Sequence, residues 1–160
     1  TPKPSSAASD VYKRQTAGSE DRELAQPMYV NSPFGISISH NGNLTNHEEL
    51  RDSLVKKDLR HLNTDSDSEV LLNVFAHELQ KQGSINPGSK EVFAAVKSLH
   101  KRVRGAYSVV IMINGVGIVG FRDPFGIRPL IVGSKERDLI GKDYMIASES
   151  TVLDLSLIHI

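Results

Sequence analysis

The sequence predicts an α+β protein with antiparallel β-structure, and three observations support this prediction. Three helical segments follow one another, strand-like apolar segments are grouped after them, and an Asn-Gly pair at residues 114–115 joins two of those segments. Two apolar runs joined by Asn-Gly are a strong hairpin signal. Because helices and strands are grouped rather than alternating, the pattern argues against a doubly wound parallel sheet.

The composition of the chain limits the classes of function that it can have. The chain has 160 residues, which is room for about one domain. The net charge is zero, so electrostatics favours neither nucleic acid nor an anionic membrane as a partner. The apolar stretches are shorter than the roughly 18 residues that span a bilayer. With no cysteine there is no disulfide, thiolate metal site or cysteine nucleophile within these residues. The six histidines lack metal-ligand spacing.

The two ends differ from the middle of the chain. Residues 1–15 are small and polar, so we expect a disordered tail. Residues 5–15 also resemble translated library-adaptor sequence, and residues 155–160 have a similar character. We therefore expect both ends to be sequencing artefacts and the folded domain to occupy residues 16–154.

The first half of the domain predicts one strand and three helices. Residues 16–27 have the composition of a loop, residues 34–39 alternate as a half-buried strand does, and Asn-Gly at 41–42 is predicted to end that strand. Two Ser/Thr-x-x-Glu capping boxes, at 45–48 and 66–69, predict helix starts. The side chains predicted to face the core from the three helices are Leu50, Leu54, Val70, Leu71, Val74, Phe75, Leu79, Val92, Val96, Leu99 and Val103.

The second half predicts strands. Residues 106–113 and 116–121 form the two arms of a hairpin. Shorter strands are predicted at 130–132 and 144–147 around a polar loop, and a helix start follows at 148–150.

Several motifs together carry a family resemblance: Asn-Ser-Pro-Phe-Gly at 31–35, His-Asn-Gly-Asn at 40–43, Ser-Asp-Ser-Glu at 66–69 and Arg-Asp-Pro-Phe-Gly-Ile-Arg-Pro-Leu at 122–130. In this order they resemble the class II glutaminase domain of the amidophosphoribosyltransferases (glutamine phosphoribosylpyrophosphate amidotransferases), across about residues 16–154. Each motif alone is weak, whereas the set is specific.

The resemblance implies an N-terminal-nucleophile hydrolase fold, an αββα sandwich of antiparallel sheets between helix layers, here incomplete. It implies L-glutamine as substrate and release of ammonia to a C-terminal phosphoribosyltransferase domain, giving 5-phosphoribosylamine for purine (IMP) synthesis. It further implies a homo-oligomer in the cytoplasm, with no cofactor in this segment and Mg²⁺ in the phosphoribosyltransferase domain. The family's nucleophile is an N-terminal cysteine. Since these residues contain none, we expect the chain alone to be inactive.

By resemblance, the Asn41 side chain and the Gly42 backbone N–H form an oxyanion hole, although the same residues also suit an ordinary strand-to-helix turn. Asp67 is implied to bind the glutamine ammonium, and it also suits a helix cap. Thr16 matches the second half of the family's carboxylate-binding motif; Lys13, where the family has arginine, is not assigned. We expect paired charges to fix a turn, through the residues Arg122, Asp123, Arg128 and Glu149.

Two alternatives stay open. One is the glutaminase domain of another class II amidotransferase, of the asparagine synthetase or glucosamine-6-phosphate synthase type. Asparagine synthetase has lysine where Arg128 stands here and differs on both sides of the Asn-Gly pair. The other alternative is a non-catalytic glutamine-binding fragment.

Overall fold

The computed structural model describes residues 24–137 and 141–152. Thr16, the predicted tail and residues 155–160 lie outside the described residues. In chain order the elements are β1 Met28–Val30, β2 Ile36–Leu44, α1 His47–Lys56, α2 Asp67–Gln80, α3 Ser89–Arg102, β3 Gly105–Ile113, β4 Gly117–Arg122, β5 Ile131–Arg137 and β6 Gly141–Ala147. None of the helices among these residues has the length and apolar content that crossing a bilayer requires.

The strands form two antiparallel sheets, which confirms the predicted fold class. β1 to β4 make a four-stranded sheet in sequence order, and β5 pairs with β6 in a second sheet. The Asn114–Gly115 hairpin joins β3 to β4 as predicted, with Ile113 opposite Gly117. The two sheets meet at Gly120, because a β-carbon placed there would contact the Ile146 side chain.

The helices cover the other face of the four-stranded sheet. α2 lies centrally, between α1 and α3 and against β1 and β2, and 11 of its 14 residues are buried. All the side chains predicted to face the core are buried. On β2 the even-numbered residues point into this core and the odd-numbered ones are partly or fully exposed. This alternation places Asn41 on the face opposite the helices.

The structure corrects the predicted end of β2. Asn41 and Gly42 do not end the strand; they pair with Ser108 and Tyr107 of β3, and β2 continues to Leu44. Gly42 has φ +145°, a conformation that residues with side chains rarely adopt. An Asn-Gly pair was predicted to turn the chain, but pairing with β3 keeps it in the sheet.

Two further predictions were wrong in part, and one strand was missed. The 45–48 capping box does not form: Asn46 is the N-cap, and its side chain bonds Arg102 O and Arg104 N, each at 2.9 Å. β1 was not predicted, because residues 28–30 lie between the predicted loop, which ends at residue 27, and the predicted strand at 34–39. The polar loop at 133–143 is mostly strand, since β5 extends to residue 137 and β6 begins at residue 141. Glycine followed by polar and charged residues, at 133–137 and 141–143, hid these strands from an apolar pattern.

Candidate functional site at the edge of strand β2

The candidate site lies along an edge of β2 that β1 leaves uncovered. β1 pairs only with residues 36–38. Bonds from Thr45 N–H to Arg104 O (2.9 Å) and from Asn114 N–H to Gly35 O (3.0 Å) show that odd-numbered residues of β2 exchange bonds with β3. In an antiparallel pair the intervening residues point their N–H groups the other way. The N–H groups of His40, Gly42 and Leu44 therefore face the uncovered edge.

Two of these three donors are occupied by side chains. His40 N–H donates to Gln26 Oε1 at 2.6 Å, and Leu44 N–H donates to Asp67 Oδ2 at 3.2 Å. The same alternation points the third donor, Gly42 N–H, at the uncovered edge between them. Gly42 and Leu44 are two residues apart on a strand, so their N–H groups are about 6–7 Å apart. One open donor and one carboxylate thus lie side by side.

Gly42 cannot be replaced without moving the strand. Besides its positive φ, a β-carbon at Gly42 would collide with Ala106 O and lie 2.8 Å from Tyr107 Cα. Real β-carbons do not approach backbone this closely, so the position requires glycine. Asn41, immediately before it, is exposed and its amide is accessible.

The first turn of α2 holds Asp67 while leaving it accessible. Ser66 caps the helix by accepting Ser68 N–H at 3.2 Å, which confirms that part of the predicted capping box. The Asp67 side chain is 15% exposed, so one side of the carboxylate can reach a ligand. Its place in the first turn favours negative charge through the helix dipole.

Both carboxylate oxygens of Glu69, in the same turn, accept hydrogen bonds from the protein. Glu69 does not complete the predicted capping box but accepts four bonds from Asn63 and Thr64, at 2.7–3.1 Å. Burial opposes its ionisation, yet these bonds hold the pKa of Glu69 below its ordinary value. Glu69 therefore fixes the loop before α2, while Asp67 keeps free bonding capacity.

A polar group, the β2–α2 junction, ties Asp67 to β2; it consists of the buried His40 and Ser68, the partly buried Asp67 and the exposed Gln26. His40 Nδ1 is 2.9 Å from Ser68 Oγ and 3.7 Å from Asp67 Oδ1. Burial lowers the pKa of His40, Asp67 partly offsets this, and Arg128 lowers it further. His40 is therefore neutral near pH 7, and its buried Nε2 has no hydrogen-bond partner among the described residues.

The loop after β4 is fixed by one buried carboxylate. Asp123 accepts N–H bonds from Tyr107, Phe125, Ile127 and Arg128 at 3.0–3.4 Å. Burial opposes its charge, but these bonds hold its pKa below the ordinary value. We predicted that paired charges fix this turn, and for Asp123 this was wrong. Among the described residues no ion pair joins Asp123 to Arg122 or Arg128, and backbone N–H groups bind its carboxylate instead. Glu149 is exposed beyond β6.

Two open depressions lie elsewhere on the described surface. One, of about 520 Å³, is lined by residues around the start of α1, and one of about 440 Å³ by residues around the β3–β4 hairpin. Neither is lined by Asn41 or Asp67, so the candidate site is an open edge defined by its donors and carboxylate. The described residues contain no group of three or more His, Asp or Glu placed to hold a metal ion.

The structure places Gly42 and Asp67 at the same edge of β2, because Leu44, two residues after Gly42, donates to Asp67. Asn41 directly precedes Gly42, with its side chain on the face opposite the helices. Thr16, the fourth predicted site residue, lies outside the described residues. Sequence interpretation missed the rest of the β2–α2 junction. His40 shares the inward phase of Ile36 and Ile38 on β2, and this alternation could have indicated a buried histidine. No local signal links residues 26 and 68.

Comparisons with known proteins identify the family of the chain. Residues 13–154 match the family model described as "Glutamine amidotransferase domain". The chain is 56% identical over 140 residues to the amidophosphoribosyltransferase of Pseudomonas aeruginosa and 52% identical over 139 residues to that of Escherichia coli. These matches cover 88% and 87% of this chain but only 28% of each relative.

A solved structure gives the same result. A glutamine phosphoribosylpyrophosphate amidotransferase from B. subtilis, in complex with ADP and GMP, superimposes with a TM-score of 0.63 at 28% identity. The match covers 85% of this chain and 27% of that one. Its fold is of the N-terminal-nucleophile hydrolase type, in agreement with the antiparallel sheets and helix layer described above. The chain belongs to the glutamine amidotransferase domain family.

Proposed function

We propose that this chain is the glutaminase portion of an amidophosphoribosyltransferase. The complete enzyme would release ammonia from L-glutamine and pass it to phosphoribosylpyrophosphate, forming 5-phosphoribosylamine, glutamate and pyrophosphate for purine synthesis. The names of the relatives support this assignment. The chain spans about 28% of the relatives' length, so the phosphoribosyltransferase half is assigned to other parts of the protein.

One observation carries the proposal: the register of β2 and β3 turns the Gly42 N–H toward the uncovered edge of β2, and the carboxylate of Asp67 is bound two residues away at Leu44. Glutamine carries an amide carbonyl at one end and an α-ammonium at the other. A donor for the carbonyl and a carboxylate for the ammonium, a few ångströms apart, match these two ends.

Each residue then has a role. Attack on the glutamine amide places negative charge on its carbonyl oxygen, and the Asn41 amide and Gly42 N–H donate to that oxygen. One such donor is worth about 3–4 kcal/mol of the activation barrier. Asp67 accepts the α-ammonium, and Thr16 contacts the α-carboxylate.

The nucleophile and the acceptor domain complete the proposal. No cysteine occurs in these 160 residues, so a catalytic cysteine must be supplied by a part of the protein outside them. Ammonia would pass to the phosphoribosyltransferase domain. The proposal includes a homo-oligomeric assembly and a cytoplasmic location, which sedimentation and cell fractionation of the full-length protein can test.

The experiment is an assay of ammonia release from glutamine by the full-length enzyme. Asn41→Ala should lower kcat by about 10²-fold or more, because one oxyanion donor is lost. Ser39→Ala, an exposed change on the same face of β2, should leave kcat unchanged. A normal rate in Asn41→Ala would remove the oxyanion assignment. The 160-residue chain assayed alone should release no ammonia above background, and clear turnover would contradict the need for an outside nucleophile.

A further inference from the structure

The β2–α2 junction contains more hydrogen-bonding groups than its packing alone requires. Ser68 Oγ lies 3.1 Å from Gln26 Nε2, 2.9 Å from His40 Nδ1 and 3.4 Å from Asp67 Oδ1. Gln26 also accepts the backbone N–H of His40 at 2.6 Å. The Ser68 hydroxyl is therefore the single atom that connects β2, the segment before β1 and the Asp67 carboxylate.

Counting hydrogens selects one arrangement of these bonds. A serine hydroxyl has one hydrogen and two lone pairs. If His40 carries its proton on Nδ1, then His40 and Gln26 both donate to Ser68 Oγ, and Ser68 donates to Asp67 Oδ1. Nε2, which has no hydrogen-bond partner among the described residues, then carries a lone pair and no hydrogen. In the other tautomer, Nε2 carries a buried hydrogen with no acceptor among the described residues, which is the rarer and more costly case.

This arrangement fixes both oxygens of Asp67. Leu44 N–H holds Oδ2 at 3.2 Å, and the Ser68 hydroxyl holds Oδ1. No lysine or arginine of the described residues forms an ion pair with Asp67, and the neighbouring imidazole is neutral. The carboxylate is thus held in one orientation by neutral donors, so its charge remains available to a cationic ligand.

We propose that Ser68 is a positioning residue for Asp67, oriented by His40 and Gln26, and that this relay makes the site selective for substrates with a protonated α-amino group. The inference rests on the proposed function, since it assigns the α-ammonium of glutamine to Asp67. Ser68 does not touch the substrate; it determines where the charge of Asp67 points. Its loss should weaken binding of the ammonium end and spare the chemistry at the amide end.

The test uses the full-length enzyme with glutamine and with glutaramate, the analogue that lacks the α-amino group. Ser68→Ala should raise KM for glutamine about tenfold, the size expected for losing a hydrogen bond to a charged group, with little change in kcat. The KM for glutaramate should stay constant, so the preference for glutamine falls. Ser68→Thr keeps the hydroxyl and should restore the wild-type KM. Ser98→Ala, a half-buried serine of α3, is the matched control.

Two further variants separate the possible failures. Asp67→Ala should raise KM for glutamine at least as much as Ser68→Ala; an unchanged KM there would overturn the proposed role of Asp67 itself. If Asp67→Ala raises KM and Ser68→Ala does not, only the positioning role is overturned. Gln26 is exposed, so Gln26→Met tests the relay even if Ser68→Ala fails to fold. It should raise KM for glutamine about threefold and leave glutaramate unaffected; an unchanged glutamine KM would overturn the relay.

Discussion

The β2–α2 junction and a second polar group in the helix layer both place a histidine beside an aspartate. The second group, the helix-layer cluster, consists of Asp58, His77, Glu78 and Arg102. In the junction His40 Nδ1 lies 3.7 Å from Asp67 Oδ1. In the cluster His77 Nε2 lies 3.2 Å from Asp58 Oδ1, within ion-pair range but without hydrogen-bond geometry. Burial lowers the pKa of both histidines.

The two groups differ in how their carboxylates are neutralised. Arg102 donates to Asp58 at 2.7 Å and to Glu78 at 2.8 Å, so both cluster carboxylates have a cation. Burial opposes the charge of Arg102, but these bonds raise its pKa above the ordinary value. Asp67 has only neutral donors. The comparison teaches that a buried group whose charges are mutually paired holds helices together, whereas one with an unpaired carboxylate is suited to a ligand.

The largest expected effect comes from removing the arginine of the helix-layer cluster. Arg102→Met leaves Asp58 without its arginine and leaves Glu78 with only the half-exposed Lys81, 3.2 Å away. Breaking a buried ion pair costs about 3–5 kcal/mol. Urea denaturation of the 160-residue chain should show this loss of unfolding free energy. In the full-length enzyme the KM for glutamine should not change, because the cluster makes no contact with the β2 edge.

A triple variant identifies the cause of that loss. Adding Asp58→Asn and Glu78→Gln to Arg102→Met removes the two carboxylate charges that Arg102 neutralised and should recover more than half of the lost stability. No recovery would mean that the arginine stem stabilises through packing instead. A raised KM for glutamine in Arg102→Met would contradict the purely structural role of the helix-layer cluster.

A smaller effect should appear with pH. Since burial holds the folded pKa of His40 and of His77 below 6.5, the unfolded chain takes up protons first on acidification. Stability should therefore be greatest above pH 6.5 and fall as the pH drops from about 7.5 to 5.5. Carboxyl groups titrate below about pH 5 and lie outside this window. His77→Gln should flatten the slope of unfolding free energy against pH; an unchanged slope would assign the effect to other histidines.

The smallest effect is expected where pairing occurs without burial. Lys56 Nζ lies 2.5 Å from Asp52 Oδ2, but the two side chains are 70% and 67% exposed. Such pairs contribute about 0.5 kcal/mol or less, because water and salt screen them. Asp52→Asn should shift unfolding free energy within that range in the same urea assay. A loss of unfolding free energy as large as that of Arg102→Met would show that the cost of breaking an ion pair does not depend on its burial.

Local patterns were sufficient for most of the elements. The i, i+4 spacing of Leu71, Phe75 and Leu79 placed a helix and its buried side, and Ser66 marked the start of that helix. The Asn114–Gly115 pair marked the hairpin. These features depend on residues close in sequence, where backbone propensity and side-chain periodicity act directly.

Long-range partners decided the remainder. The Thr45 capping box did not form because Asn46 meets the backbone at Arg102 and Arg104, more than fifty residues away. The strand continued through Asn41 and Gly42 because β3 pairs with both. No local pattern contains such partners, and these were the places where the predictions failed.

The sequence by itself determined the three helices, the hairpin and the buried stripes, and its motifs singled out Asn41, Gly42 and Asp67 as candidate site residues. Only the tertiary structure decided that Gly42 N–H faces an uncovered edge of β2 and that Asp67 is held by Leu44 and Ser68. The physical reason is that hydrogen-bond satisfaction is a property of the whole packed chain: whether a donor is free depends on which distant groups reach it.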